Sequence, residues 1–282
     1  MEIIRTPAEM TAWANRALAA RETIALVPTM GSFHEGHLRL MRKARERAGR
    51  TVVSLFVNPI QFGASEDLGR YPRDFPRDCQ LAEAEGVDVL FAPEAQTMYP
   101  PEASTRVIVS GLTDVLCGRS RPGHFAGVTT VVAKLFHLIK PHFAVFGEKD
   151  FQQLAVIRRM VADLNWDVEI IGHPIVREVD GLAMSSRNIY LSVPERQAAL
   201  CLFKAIGQAR KRVRAGLVEA TLLLREIEEL LQQAAVTVEY ASLVDQTTLQ
   251  PQAVLGKGTV LALAVKVGAT RLIDNDNLFE EG

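Results

Sequence analysis

Short apolar segments alternate with segments of helical spacing through roughly the first 175 residues of the chain. Apolar, β-branched runs occur at 23–27, 51–57, 87–91, 105–109, 142–146 and 168–171. Between most of these runs, apolar residues recur every three to four positions, at about 36–49, 74–85, 127–140 and 150–165. Near-continuous apolar strands separated by amphipathic helices are typical of a buried parallel sheet with helices on both faces. The pattern therefore predicts a doubly wound, Rossmann-like α/β domain over residues 1–175.

The last third of the chain has a different pattern. Residues 194–233 are rich in Ala, Leu, Arg, Glu and Gln, and Ser192 followed by Pro194 and Glu195 is typical of a helix start. Three strand candidates follow, at 236–244, 259–266 and 270–273. Helices followed by a small sheet predict a second, smaller α+β domain. We assign it to residues 176–282 and place the boundary within 174–192.

The composition excludes several classes of protein but does not indicate a particular reaction. The chain has 282 residues, of which 48% are hydrophobic and 23% charged, so it can bury a large core without covalent staples. Its formal net charge of −1 argues against attraction of the whole molecule to nucleic acid or to a membrane. Its three cysteines are far apart and form no CxxC pair, which indicates neither a disulfide framework nor a cysteine zinc site.

No apolar stretch has the length of a targeting signal or of a membrane span. The N-terminal residues lack the apolar core of a secretory signal. The longest apolar stretches, near 127–146 and 259–269, are interrupted by polar and charged residues. Neither approaches the run of about 20 apolar residues that a membrane helix needs. We therefore expect a cytoplasmic protein with no membrane partner.

The first of five polar clusters, PTMGSFHEGH at residues 28–37, follows the first central strand. Gly31 and Gly36 permit tight turns, and the free N–H groups of the helix that follows form a natural phosphate site. His34 and His37 are three residues apart, so their imidazoles could together neutralise phosphate charge. The string matches neither a dinucleotide fingerprint nor a Walker loop, nor the HExxH zinc motif. Two surface histidines in a loop stay an alternative.

The other four clusters are weaker when each is taken alone. Asn58 and Gln61 follow the second strand, and their side-chain amides suit a hydroxy acid or an amine. Arg121 lies in a Ser-Arg-Pro-Gly-His turn and could pair with an anion. Residues 147–153 offer a lysine for phosphate and an aspartate for a helix cap, a ribose or a metal, and residues 184–188 could form an anion-binding loop. Ordinary turns and a capped helix start explain each cluster equally well.

The joint placement of the clusters favours a shared site. In a doubly wound sheet, the segments after parallel strands meet at one edge, where ligands bind. The combined set includes two imidazoles, Lys149, Arg187 and several side-chain amides, but no Ser–His–acid order and no cysteine near a histidine. Such a set suits phosphate chemistry, in which positioning and charge neutralisation dominate.

Two of the motifs resemble those of a known superfamily. HEGH at 34–37 resembles the HxGH element of the nucleotidyltransferases that include class I aminoacyl-tRNA synthetases, and MSSR at 184–187 resembles a degenerate form of their KMSKS-like loop. The full ordered set is PTMG…HEGH, FVNPIQF, YPRD, SRPGHFAGV, FGEKDFQQL, DGLAMSSRN and ATRLIDN. It is similar, over essentially the whole chain, to that of the pantoate–β-alanine ligases.

This resemblance implies an activity. The family joins (R)-pantoate to β-alanine in an ATP-dependent ligation that gives pantothenate through a pantoyl-adenylate intermediate, releasing AMP and pyrophosphate. It also implies Mg²⁺ as the companion of ATP and a homodimer as the assembly. The protein ligands of Mg²⁺ are unknown, with Asp150 and the Asp74/Asp78 region as candidates.

The resemblance also implies roles for residues at matching positions. The implied ATP-binding residues are Met30, Gly31, Ser32, Phe33, His34, Glu35, Gly36, His37, Gly147, Glu148, Lys149, Asp150, Val176, Met184, Ser185, Ser186 and Arg187. The implied catalytic residues are His34, His37 and Lys149, with His37 as proton donor and Lys149 neutralising phosphate charge. The implied pantoate-binding residues are Asn58, Gln61 and Gln153, with Gln61 also near β-alanine.

Further implications concern the borders of the site. Tyr71 would border or gate the pocket, and Arg121 and His124 would lie near the phosphates. Residues 184–187 would close over the phosphates as a mobile loop, and the C-terminal domain that carries them would close over ATP.

Two alternatives stay open at this point. A cytidylyl- or adenylyltransferase acting on a phosphorylated substrate would leave Gln61 and Gln153 unexplained. An RNA-binding relative of the tRNA synthetases would need a basic face with interleaved aromatic residues. The candidate for that face is 204–214, which a solvated helix face explains more simply.

Overall fold

The computed structural model describes residues 1–64 and 66–280, which fall into two compact units. The first comprises Met1–Gly111, Arg121–Glu148 and Val156–Pro174. The second comprises Leu112–Ser120, Lys149–Ala155 and Ile175–Gly282. The second unit thus includes two short segments from the part of the chain assigned above to the first domain. The division into domains 1–175 and 176–282 stays a prediction.

The first unit is built on a parallel sheet. Its strands are β1 (Glu2–Ile4), β2 (Ile24–Thr29), β3 (Arg50–Leu55), β4 (Val89–Phe91), β5 (Phe143–Gly147) and β6 (Glu169–His173). They lie in the order β1-β4-β3-β2-β5-β6, and every neighbouring pair is parallel. Residues 24–27 of β2 are fully buried, as expected of a strand covered on both faces. The predicted doubly wound sheet is therefore confirmed.

Helices alternate with these strands along the chain, and one of them, Leu116–Ser120, and the start of another, at 151–155, belong to the second unit. The helices are α1 (Pro7–Ala19), α2 (Glu35–Arg47), α3 (Phe75–Ala84), α4 (Ala95–Met98), α5 (Leu116–Ser120), α6 (His124–Ile139) and α7 (Phe151–Asp163). The helices predicted at 36–49, 74–85, 127–140 and 150–165 are confirmed as α2, α3, α6 and α7, within a few residues at each end. In the described part of the chain, no helix combines the length and the apolar character that crossing a membrane requires.

The strand predicted at 105–109 is wrong. This segment forms no strand, because side chains of α6 satisfy its backbone groups instead of a neighbouring strand. The Val107 N–H donates to Thr130 Oγ1 at 3.0 Å, and the Val107 carbonyl accepts from Thr129 Oγ1 at 2.6 Å. The sequence pattern also missed β1, since a three-residue strand is too short to show a period. It missed α1 as well, although Thr6 and Glu9 form a capping box at the start of that helix.

The strand order sets where a ligand can bind in the first unit. β2 lies between β3 and β5, and the chain continues from β2 through β3 and β4 on one side before β5 pairs on the other. The β2–β5 boundary is therefore the topological switch point, where ligands of open α/β sheets bind. The ends of β2, β3 and β5 lie at the same edge of this parallel sheet.

The second unit combines helices with an antiparallel sheet. Its elements after residue 174 are α8 (Val193–Ala199), α9 (Cys201–Arg214), α10 (Ala220–Gln232), β7 (Thr237–Asp245), β8 (Thr259–Val267) and β9 (Thr270–Asn277). β8 is the central strand of the three. Leu202, Ile206, Leu223 and Ile227 of α9 and α10 share one buried cluster with Leu261 of β8. The predicted smaller α+β fold is confirmed.

Candidate active site

Two residues with positive φ turn the chain sharply between β2 and α2. Gly31 has φ +83° and Ser32 has φ +53°. The Asp78 carboxylate, which is 1% exposed, accepts the Ser32 and Phe33 N–H groups at 2.7 Å each. A Cβ at Gly31 would lie 2.9 Å from Asp78 Oδ2, so the turn requires glycine there. The buried carboxylate therefore fixes the entry to the HEGH segment.

The sequence makes Asp78 a candidate metal ligand, but each of its oxygens accepts a hydrogen bond from the backbone of this turn. Burial raises the pKa of Asp78, although the two N–H donors act in the opposite direction. Asp74, four residues earlier, caps α3 by accepting the Arg77 N–H at 3.1 Å. The carboxylates of Asp74 and Asp78 thus both accept hydrogen bonds from backbone N–H groups.

The two histidines of HEGH meet at the start of α2. His34 is the N-cap residue, and its backbone N–H donates to Nδ1 of His37 at 3.3 Å. The two rings lie 4.1 Å apart, and the buried Phe33 ring is 5.7 Å from His37. Because Nδ1 of His37 accepts this bond, the imidazole proton resides on Nε2. The pair is therefore held at a helix N-terminus, a place that favours anions.

Glu35, between the histidines in sequence, points along the helix. Its Oε1 atom accepts from Arg39 Nε and from Arg42 Nη1, each at 2.7 Å. Hydrogen bonds from Arg42 and Arg39 lower the pKa of Glu35. Its carboxylate is paired with cations of its own helix.

The Asn58–Gln61 segment forms a buried network after β3. Asn58 is 1% exposed and Gln61 is 9% exposed. Asn58 Nδ2 donates to Gln61 Oε1 at 2.9 Å and to the Gly127 carbonyl at 3.1 Å, and Gln61 Nε2 donates to Met30 Sδ at 3.2 Å. The structure thus brings together Met30, Asn58 and Gln61, all named from the sequence.

Sequence reasoning missed one member of this network. The Tyr99 hydroxyl lies 2.9 Å from Asn58 Oδ1. No local signal could have found it, because the contact joins residues 41 positions apart. Only the sheet, which brings the segment after β4 beside the segment after β3, creates the contact.

The SRPGH segment supports the same network from the other side. Arg121 Nη1 lies 3.0 Å from His124 Nε2, and His124 Nδ1 lies 2.9 Å from the Gln61 carbonyl. Since a guanidinium only donates, His124 accepts at Nε2 and donates from Nδ1. Arg121 also binds both carboxylate oxygens of Glu66, at 2.7 and 2.6 Å. The charge of Arg121 is therefore balanced by a protein carboxylate.

The ion pair with Arg121 sets the pKa of Glu66. Burial alone would raise the pKa of Glu66, but hydrogen bonds and charge from Arg121 hold that pKa below its ordinary value.

Tyr71, expected at the border of the pocket, is 6% exposed and meets the Phe62 ring edge-on at 6.1 Å.

The EKD segment follows β5. Gly147 is the last residue of β5 and pairs with His173, and Glu148 begins a 3-10 helix that ends at Asp150. In the second unit, the Lys149 carbonyl accepts from Asn275 Nδ2 at 2.9 Å. Gln153, in the first turn of α7, is half-buried.

The preceding glutamine has a different, structural role. Gln152 accepts the Cys117 N–H at 2.9 Å and donates to the carbonyls of Leu112 and Val115, each at 2.8 Å. These three hydrogen bonds use the side chain of Gln152 and do not involve that of Gln153.

The MSSR loop is held by a short hairpin in the second unit. The Met184 N–H donates to the Val176 carbonyl at 2.9 Å, which joins two residues predicted to contact ATP. Ser185 Oγ accepts the Arg187 N–H at 3.3 Å and caps the 3-10 helix Ser186–Tyr190. Asn188 Nδ2 then donates to Glu178 Oε1 at 2.6 Å.

The predicted site residues therefore form two groups, one in each unit. The first unit contains Met30–His37, Asn58, Gln61, Gly147 and Glu148. The second contains Lys149, Asp150, Gln153, Val176 and Met184–Arg187. Within residues 1–64 and 66–280, no group of three or more His, Cys, Asp or Glu side chains could hold a metal ion. The first group combines the backbone N–H groups at the start of α2 with side-chain amides, and the second contains a lysine and an arginine.

Comparison with known proteins identifies the chain's relatives. The family described as Pantoate-beta-alanine ligase matches residues 2–277. The pantothenate synthetase of Heliobacterium modesticaldum is 55% identical over 276 residues, 98% of each chain. That of Syntrophus aciditrophicus is 54% identical over 282 residues, which cover 100% of this chain and 99% of the relative.

Solved structures agree with the sequence relatives. The pantothenate synthetase of Thermus thermophilus has a TM-score of 0.93 and 45% identity, covering 99% of this chain and 100% of the other. The Francisella tularensis pantoate-beta-alanine ligase, complexed with beta-gamma ATP and β-alanine, has a TM-score of 0.83 and 32% identity, covering 100% and 99%. The chain described here belongs to the pantoate–β-alanine ligase family.

Proposed function

We propose that this chain catalyses the ATP-dependent condensation of pantoate with β-alanine to pantothenate, releasing AMP and pyrophosphate. The observation that carries the proposal is the match over 98% of the chain, at 55% identity, to a pantothenate synthetase. The Francisella relative, complexed with beta-gamma ATP and β-alanine, supports two of the three substrates.

The reaction proceeds in two steps through pantoyl adenylate. A pantoate carboxylate oxygen attacks the α-phosphorus of ATP, and the bond from that phosphorus to the pyrophosphate oxygen breaks. The β-alanine nitrogen then attacks the acyl carbon, the carbon–oxygen bond to AMP breaks, and the nitrogen loses a proton. Adenylation is needed because a free carboxylate is a poor acyl donor.

His34, His37 and Lys149 stabilise the phosphates in the adenylation step. At the N-terminus of α2, Nδ1 of His37 accepts from the His34 N–H, so Nε2 is the ring nitrogen that carries the donor proton. A hydrogen-bond donor and the N-terminus of a helix both stabilise the negative charge that develops on the phosphates. Lys149 contributes a point charge.

Asn58, Gln61 and Gln153 bind pantoate, and Gln61 also contacts β-alanine. The buried amide network supports this role, because side-chain amides held in place by hydrogen bonds can orient a small acid. The full set of proposed ATP contacts is Met30–His37, Gly147–Asp150, Val176 and Met184–Arg187. Of these, Met184–Arg187 closes over the phosphates.

Mg²⁺ and the assembly are further parts of the proposal. The described residues form no metal cluster of their own, so Mg²⁺ would accompany the phosphates of ATP and neutralise part of their charge. The active assembly is a homodimer, and the cellular site is the cytoplasm.

The test is exchange of labelled pyrophosphate into ATP with β-alanine absent. We expect exchange that requires pantoate, and pantothenate with equimolar AMP once β-alanine is added. His37→Ala should slow exchange by about 10²- to 10⁴-fold, the usual contribution of a positioned proton donor. His137→Ala, which removes an exposed histidine of α6, is the matched control. Exchange supported only by phosphorylated acceptors would instead favour a nucleotidyltransferase.

A further inference from the structure

The Gly127 carbonyl fixes the orientation of the Asn58 side chain. A backbone carbonyl can only accept, so the Asn58 atom that lies 3.1 Å from it must be the amide nitrogen. The other end of the same amide, Oδ1, therefore faces Tyr99, and the phenolic hydroxyl at 2.9 Å must be the donor. If the amide were reversed, its oxygen would face the Gly127 carbonyl oxygen, and two acceptors would repel.

The orientation of the Asn58 amide in turn fixes the orientation of the Gln61 amide. The Asn58 nitrogen donates to Gln61 Oε1 at 2.9 Å, which places Nε2 at the opposite end of the Gln61 amide. Nε2 contacts Met30 Sδ at 3.2 Å, and a thioether sulfur is a weak acceptor. An amide nitrogen carries two hydrogens, so Gln61 keeps strong donor capacity on the Met30 side.

We propose that Tyr99 is a positioning residue that, together with the Gly127 carbonyl, holds Asn58 and so keeps the N–H groups of Gln61, and not its carbonyl, toward the bound acid. This inference rests on the proposed function, since it concerns how the pantoate site selects its substrate. A site of fixed donors favours an acid that presents oxygen acceptors, such as a carboxylate with a neighbouring hydroxyl.

The surroundings of Tyr99 suit a fixed donor. The Phe56 ring lies 6.1 Å from the Tyr99 ring, and the Lys134 ammonium lies 5.6 Å above its face. Burial raises the pKa of Tyr99 well above its ordinary value, so the hydroxyl keeps its proton at every physiological pH. The donor is therefore always present.

The approach of α6 to this segment is equally specific. A Cβ at Gly127 would lie 2.5 Å from the Ile60 carbonyl oxygen and 2.6 Å from Gln61 Cα. Only glycine lets the helix come close enough for the Gly127 carbonyl to reach Asn58. With His124 holding the Gln61 carbonyl, the backbone and the side chain of Gln61 are both constrained.

The test is Tyr99→Phe, which removes one hydroxyl and keeps the ring. We expect KM for pantoate to rise about three- to tenfold, the size of one net hydrogen bond, while KM for ATP stays unchanged. Lys134→Ala is the matched control, because it removes the group above the same ring without touching the hydroxyl. Equal rises in both KM values, or no rise for pantoate, would overturn the proposal.

A double-mutant cycle separates positioning from general support of the fold. If Tyr99 acts through Asn58, the variant Asn58→Ala/Tyr99→Phe should have the same KM for pantoate as Asn58→Ala. An additional rise in the double variant would show that Tyr99 acts by another route and would contradict the proposal.

A measurement on the unaltered protein covers the case in which Tyr99→Phe does not fold. With ¹⁵N-labelled glutamine side chains, saturating pantoate should shift the Gln61 amide signals, identified by their loss in Gln61→Leu. Unmoved signals would overturn the proposal. The two levels fail separately: wild-type protein without pantoate-dependent exchange refutes the function, whereas normal exchange with wild-type kinetics in Tyr99→Phe refutes only the inference.

Discussion

Residue identities in short motifs were enough to find the groups that could meet a substrate, but not the groups that hold them. His34, His37 and Gln61 stand in compact strings whose residue types already suggest phosphate or acid binding. Tyr99 and Asp78 carry no such local signal, because their partners lie 41 and 46 residues away in sequence. Their roles follow only from contacts that the fold creates.

Asp78 offers the clearest test at this scale. Its two oxygens accept two N–H groups of the turn into HEGH, whereas asparagine would offer one oxygen and turn an N–H₂ group toward the other donor. Asp78→Asn should lower the free energy of unfolding by about 1–3 kcal/mol, the cost of an unsatisfied buried donor. It should also slow pyrophosphate exchange, because the His34–His37 pair loses its anchor.

Urea unfolding followed by circular dichroism, beside the exchange assay, measures both effects. Asp74→Asn is the control, since asparagine caps a helix as well as aspartate does and Asp74 is exposed. Wild-type stability and exchange in Asp78→Asn would show that the carboxylate does not hold this turn.

Elements were predictable where their periodicity was long and their environment uniform. The central strands and α2, α3, α6 and α7 follow from apolar runs and helical spacing. The failure at 105–109 has a physical cause, because apolar residues in a row do not supply a partner for their backbone. Thr129 and Thr130 of α6 do so here, and no strand-forming pattern could reveal a hydroxyl about 20 residues downstream.

Thr130→Val tests that explanation. The substitution keeps the shape of the buried side chain but removes the acceptor of the Val107 N–H, so we expect a loss of about 1–2 kcal/mol in unfolding free energy. Thr221→Val, at an exposed position of α10, should change stability by less than about 0.5 kcal/mol. Equal effects of the two variants in urea unfolding would mean that the hydroxyl does not fasten the segment.

Over the whole molecule, the order of motifs carried more information than composition did. A net charge of −1 and ordinary percentages fit many soluble enzymes, whereas seven motifs in one order are similar to a single family. Composition also hides how the charges are used: Arg121 could have been a free anion-binding group, but it is paired with Glu66. The sequence could not show this pairing, because 55 residues separate the partners.

That pairing predicts how global stability depends on pH. The pKa of Glu66 is lower in the folded protein than its ordinary value of 4.5, so ionised Glu66 stabilises the fold above that value. The stabilisation should fade as the pH falls below about 4.5 toward the lower folded-state pKa. Glu66→Gln should therefore be less stable than wild type at pH 7, by about 1 kcal/mol for a half-buried pair, with the difference shrinking in acid. Urea unfolding of both proteins between pH 7 and pH 3 measures this, and Glu102→Gln, at an exposed position, controls for loss of one negative charge. A difference between Glu66→Gln and wild type that stays constant across this range would rule out the ion pair as its source, since only a titrating partner makes the difference depend on pH.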